Sequence, residues 1–214
     1  MEGSTLKKGI YFIIATVSAL FILSNNHLDH SLGDRIFNIL GISPWTEKNQ
    51  SGLHLSVLLG FIILIVGVVG TTRYYRPRYP KVLSRIIIGC IAFVFVYPIA
   101  TEKVMLLIKY NTSGIESVDY SKKNSRCNFQ SEGDSVKANC SFTIYNYGDE
   151  NRITIRPILT EVDFESRELS IPTHSKINIG TEFYGKQRNG TGFAGSSQDI
   201  AVEIEMSGIK KKYK

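Results

Sequence analysis

Charge is absent from long stretches of the first half of this chain. Residues 53–70 (LHLSVLLGFIILIVGVVG) contain no Asp, Glu, Lys or Arg, and about 20 apolar helical residues are what a hydrocarbon core of about 30 Å requires. Tryptophan occurs once, at Trp45, and cysteine three times, at Cys90, Cys127 and Cys140. So few thiols exclude a densely cross-linked miniprotein and a four-cysteine zinc module. Catalytic signatures are also missing: no Lys follows Gly190 to cradle a phosphate, and there is neither a nucleophile elbow nor a paired-cysteine metal motif. Residues 190–195 (GTGFAG) match the letters of a dinucleotide fingerprint, but a strand pattern follows where a helix is needed, so they read as a loop. The residues predict no enzyme and no cofactor.

Apolar residues make up 43% of the 214-residue chain, and mean hydropathy is near zero. That average conceals a division. Apolar runs cover residues 9–24, 53–70 and 86–100, whereas everything after Tyr110 is mixed and polar. The net charge of +6 is similarly localised, in Arg73, Arg76, Arg78, Lys81 and Arg85 between the second and third runs, and in Lys210, Lys211, Lys212 and Lys214 at the end. Acids outnumber bases between Tyr110 and Gly208, and no basic stripe with interleaved aromatics occurs there, which argues against nucleic acid as a partner.

Three transmembrane helices are therefore expected, over residues 9–24, 52–70 and 86–109, with a cytoplasmic N-terminus at 1–8. The first run follows Lys7 and Lys8 and reads as an uncleaved anchor, a cleaved signal peptide being the alternative. Pro98 predicts a kink or a loosened last turn in the third. Ala15, Ala19, Gly60, Gly67, Gly70, Gly89 and Ala92 are the expected helix contacts. The five basic residues between 71 and 85 assign that loop to the cytoplasm. Residues 25–51, with only Arg35 and Lys48, and everything after the third span then lie outside. This is a multi-pass protein of the cell membrane, with the lipid bilayer as its first partner.

In the outer loop, Leu32, Ile36, Ile39 and Leu40 share one helical face behind Ser31 as a cap, which suits a short interfacial helix. His27, Asp29, His30 and Asp34 could be read as metal ligands, but no third strong ligand stands at a diagnostic spacing, and a polar connector is the reading adopted.

From Ser113 the period changes to two. Ala138, Cys140, Phe142 and Ile144 alternate with polar residues, as do Ile153 and Ile155, Leu169 and Ile171, Ile177 and Ile179, and Ile200, Val202, Ile204 and Met206. About seven short strands are predicted for 110–208, ahead of a Lys-rich tail at 209–214. The region resembles an immunoglobulin-like β-sandwich in strand number and length, in pattern only, since no Trp lies between its two cysteines. If Gly133-Asp134 forms a two-residue turn, Cys127 opposes Cys140 and Phe129 opposes Ala138, within reach of a disulfide. An oxidising compartment preserves such a bond. Sequons stand at Asn49, Asn111, Asn139 and Asn189. His174 reads as a solitary surface imidazole, and Asp163 with Glu165 as alternating acids on an exposed face.

Taken together, the residues predict a non-catalytic membrane protein that presents an outer β-sandwich to a protein partner or ligand, with a partner at the outer face or within the membrane. The alternative is an accessory subunit of a transporter or channel, acting through its spans. A surface hydrolase using His27, His30 or His174 is a third reading.

Overall fold

The computed structural model describes residues 2–47, 51–132, 135–188 and 194–213. The Gly133-Asp134 turn, the Asn49 and Asn189 sequons and most of the glycine-rich fingerprint lie outside those residues. Two compact units divide the chain, Met1–Glu102 and Lys103–Lys214.

The first unit is helical. Helix α1 spans Glu2–Leu23, α2 Leu32–Ile39, α3 Leu55–Tyr75, and α4 starts at Val82 and runs to Ile108. A small ribbon of β1 (Trp45–Glu47) and β2 (Ser51–His54) precedes α3. Helices α3 and α4 are long and apolar enough to cross a membrane, whereas the apolar part of α1, Gly9–Leu23, is shorter. The difference from three equal spans lies at the start of α1, whose first turns carry Glu2, Lys7 and Lys8. Pro98 sits well inside α4, which continues to Ile108 rather than ending near it.

Small residues bring α1 against α3. A Cβ on Gly67 would stand 2.5 Å from Thr16 Oγ1 and 2.7 Å from its main-chain nitrogen, so only glycine permits this approach. Gly60 meets Leu23, Gly70 meets Phe12, and Ala19 is fully buried. The expectation fails for α4: Gly89 has nothing within 4 Å of a would-be Cβ, Ala92 is exposed, and no α4 residue is buried. Aromatics make its contact with α1 instead, as Phe21 meets the edges of Phe93 and Tyr97 at 5.0 and 5.5 Å.

The second unit is all-β after a 3-10 turn at Gly114–Ser117. Its strands are β3 Val118–Glu132, β4 Ser135–Asn146, β5 Arg152–Ile158, β6 Val162–Phe164, β7 Arg167–Ser170, β8 Ser175–Gln187, β9 Gly195–Gln198, β10 Ala201–Met206 and β11 Ile209–Tyr213. They form two antiparallel sheets in a sandwich-like arrangement, ordered β6-β8-β4-β3-β9 and β11-β10-β5-β7. The period-two pattern is the cause: inward residues such as Phe129, Phe142, Ile144 and Phe183 of one sheet share a core with Ile153, Ile155, Val202 and Ile204 of the other.

Three differences from the sequence reading have local reasons. Strand β3 is a single strand of 15 residues rather than one of the short strands expected, carried across Lys122, Lys123, Asn124 and Ser125 by a bulge opposite Phe142 alone. Ser125 satisfies the main chain there, its hydroxyl donating to Ser121 O at 2.7 Å and accepting the Thr143 N–H at 3.0 Å. Strands β6 and β9 have only three or four residues, too few to display a period, whereas β7 lies where Leu169 and Ile171 predicted a strand. Finally, the expected Lys-rich tail is strand β11, turned back on β10 through Ser207 and Gly208, both at positive φ (50° and 79°), the backbone a tight hairpin demands.

Candidate functional site

Cys127 and Cys140 are paired across β3 and β4 and joined by a disulfide, both almost wholly buried. Phe129 opposes Ala138 in the same register. Cys90 is a free thiol in α4.

The five cations from which an orientation was expected cluster at the junction of α3 and α4. Arg73 lies in the last turn of α3, Arg76 caps it, and Arg78, Lys81 and Arg85 follow, all exposed. Arg78 reaches over the Tyr79 ring at 5.9 Å. Beside them, Val68, Val69, Pro77 and Leu83 line a groove of about 540 Å³ rimmed by Arg73 and Arg76.

The four acids and imidazoles at His27, Asp29, His30 and Asp34 do not converge. His27 is buried, its N–H donating to Thr101 Oγ1 at 3.1 Å. Asp29 Oδ1 accepts from Asn25 Nδ2. Asp34 turns toward α3, where His54 Nε2 approaches its Oδ1 at 2.7 Å and the Ser56 hydroxyl donates to the same oxygen. Trp45 stacks on the His54 ring at 4.1 Å. The Ser hydroxyl bonds the carboxylate rather than the imidazole, so this is a brace between α2 and α3 and not a charge-relay arrangement. Among the described residues no three His, Cys, Asp or Glu side chains are placed to hold a metal.

His174 is not the solitary imidazole its sequence context suggested. Its Nδ1 lies 2.6 Å from Tyr147 O and its Nε2 2.9 Å from Asp149 Oδ1, and Tyr110 stacks on the ring at 4.1 Å. Asn146 organises the same corner: its fully buried side-chain amide donates to Glu150 O and Pro172 O and accepts the Gly148 N–H. Nothing in the sequence announces this corner, because its hydrogen-bonded partners lie up to 27 positions apart.

A polar groove of about 610 Å³ opens beside β5, β6, β8 and β10. Arg156 is its hub, 3.1 Å from Glu203 and 3.6 Å from Asp163, while Lys210 and Lys212 flank Glu203 from β11. Asp163 and Glu165 thus do not act together: Asp163 faces Arg156, and the Glu165 N–H extends the β6 ladder to Tyr184 O. Glu203 is nearly buried yet ringed by cations, which makes the network a clasp between strands.

The groove adjoins an open sheet edge. Strand β6 pairs with β8 only at residues 185–187, so the outer side of β8 from Ser175 to Phe183 meets no strand among the described residues. On its solvent face Lys137 binds Glu182 at 3.0 Å, which keeps that carboxyl below the usual carboxylate range and the ammonium above its own. The chain matches no family model, no curated protein and no solved structure.

Proposed function

We propose that this is a membrane-anchored, non-catalytic protein that crosses the bilayer three times and holds its β-sandwich outside the cytoplasm to engage a protein partner. The observation that carries the reading is α4, a helix of 27 residues with none buried. Phe95, Ile99 and Leu107 are 71, 62 and 76% exposed. Apolar surface of that extent is favourable against lipid and unfavourable against water. The exposed Leu32, Ile36 and Ile39 of α2 suit the interface, and the arginine-rimmed groove suits the headgroups of an inner leaflet.

For the sandwich we propose an immunoglobulin-like arrangement. Supporting this, the orders β11-β10-β5-β7 and β6-β8-β4-β3-β9 resemble the two sheets of that architecture once β9 is set aside and β6 and β7 exchange places in chain order. Its disulfide joins neighbours within one sheet, unlike the bond between sheets of antibody domains. Orientation follows from the basic segment at 73–85, and the disulfide fits an outer location.

The test has two parts. In intact cells, an impermeant thiol reagent should label a cysteine placed at Gly208 and spare one placed at Arg78; the reverse pattern would discard the orientation. Mild-detergent extraction should then recover the chain with a protein bound. A monomer with no associate under several extraction conditions would discard the interaction role. Because α4 has no buried residue, packing against helices of a transporter or channel is the second reading. Deleting residues 113–214 separates the two, since a role carried by the spans survives it.

A further inference from the structure

Among the described residues the outer side of β8 from Ser175 to Thr181 meets no other strand, and Arg167 reaches only Glu182 O beyond it, whereas the other edges of the two sheets are protected. Strands β6, β7 and β9 are three or four residues long, and β11 carries Lys210, Lys211 and Lys212. Short edges and lysines are how sheets avoid joining others. Strand β8 pairs with β4 without any irregularity over its whole length, contains no proline, and carries Gly180, around which a Cβ would meet nothing within 4 Å.

The register shows which groups the edge offers. Tyr184 O accepts the Glu165 N–H, the Arg188 N–H donates to Glu161 O, and Glu182 O accepts from Arg167 Nη1. Even-numbered residues of β8 therefore turn their main-chain groups away from β4. In an unbroken strand the same holds for Asn178 and Gly180. Ile177 and Ile179 point toward the core but are only partly buried, as edge residues are.

We infer that this edge pairs with the same edge of a second copy of the chain, antiparallel about a two-fold axis at Ile179. In that register Asn178 exchanges main-chain hydrogen bonds with Gly180 of the other copy, and the two Ile179 residues meet. Lys176 falls opposite Glu182 at both ends, where the Arg167 side chain gives up its hydrogen bond to Glu182 O. Axes at Ile177, Asn178, Gly180 or Thr181 place no opposite charges together. A two-fold contact needs a self-complementary patch, and the sequence KINIGTE provides one, with its cation and its anion equidistant from Ile179. The result is a single sheet of ten strands, in which the half-exposed Ile177 and Ile179 become covered. This deepens the interaction role proposed above by naming the partner, and rests on it.

The test uses the full chain in native membranes and then in mild detergent. Under gentle oxidation Ile179→Cys should cross-link to a species of twice the 24.0 kDa chain, because residues facing each other in a non-hydrogen-bonded pair lie about 4.5 Å apart at Cα. Ile177→Cys, displaced from the axis, should not. Light scattering in detergent should give a dimer for the natural chain, loss of the dimer for Lys176→Glu and for Glu182→Lys, and its recovery when those two variants are mixed. Glu182→Lys also faces Lys137, so its thermal unfolding is checked, and the cross-link decides if it misfolds. Equal cross-linking at 177 and 179, a dimer indifferent to both charge reversals, or a monomer that never cross-links would overturn the pairing. A monomer that still recovers a different protein overturns the pairing alone and leaves the interaction role standing.

Discussion

Cys127 and Cys140 face each other across β3 and β4 with their Cα atoms 4.0 Å apart. The bond closes a loop of 13 positions next to the core, so in the chain-entropy model it stabilises the sandwich by about 3 kcal/mol. Replacing both cysteines with serine should lower the denaturant midpoint and steepen the slope, since the freed unfolded chain exposes more surface, as read by tryptophan-independent near-UV or far-UV signals. An unchanged midpoint would mean the loop was already ordered in the unfolded chain.

Gly67 and Gly89 should respond in opposite ways to the same change. Gly67→Ala forces a methyl group onto Thr16 and should cost about 1–3 kcal/mol through overpacking. Gly89→Ala meets open space and should be neutral or slightly stabilising. Thermal unfolding of both variants in one detergent makes the comparison.

Two phenols should resist alkali. Tyr120 is 4% exposed and donates to Ile200 O at 2.8 Å; burial first, and Asp199 nearby, push its pKa up to about 12, against an opposing bond with Ser125. Tyr213, which donates to Val118 O, is pushed up further by burial and by Asp119 and Glu116. An unfolded phenol ionises near pH 10. Between about pH 10 and 12 the folded state thus binds more protons, so stability is full below that window and falls as pH rises through it. For Tyr120 the loss is about 2 kcal/mol. Phenolate absorbance should show two late-titrating groups, and Tyr120→Phe should flatten the alkaline decline.

Asn146→Ala should be among the most damaging single changes in the sandwich. It leaves the Glu150 carbonyl and the buried Gly148 N–H without this partner, while Pro172 O keeps the Ser175 hydroxyl, at a cost of about 1–3 kcal/mol for unsatisfied groups. Equilibrium denaturation gives the number, and Asn146→Asp should recover little, since a carboxylate cannot donate to carbonyls.

Much of the architecture was legible in order along the chain. The Ser31 cap, donated to by the Asp34 N–H at 2.9 Å, and the pairing of Cys127 with Cys140 both follow from counting residues outward from a local signal. Strand β11 was not legible, because lysines at every outer position looked like a solvated terminus until β10 supplied Glu203 and Glu205 as partners. The braces at His54 and His174 were hidden for a related reason, as their partners come from other elements.

Composition and periodicity alone were enough to separate two apolar helices and a shorter one from a β-rich second half, because solvent preference and side-chain alternation are properties of short stretches. Which helix meets which, how far β6 covers β8, and which charges lie opposite one another depend on how distant segments pack. Those relations arise from close approach, where a single missing methyl group at Gly67 or a strand three residues long at Val162–Phe164 sets the outcome.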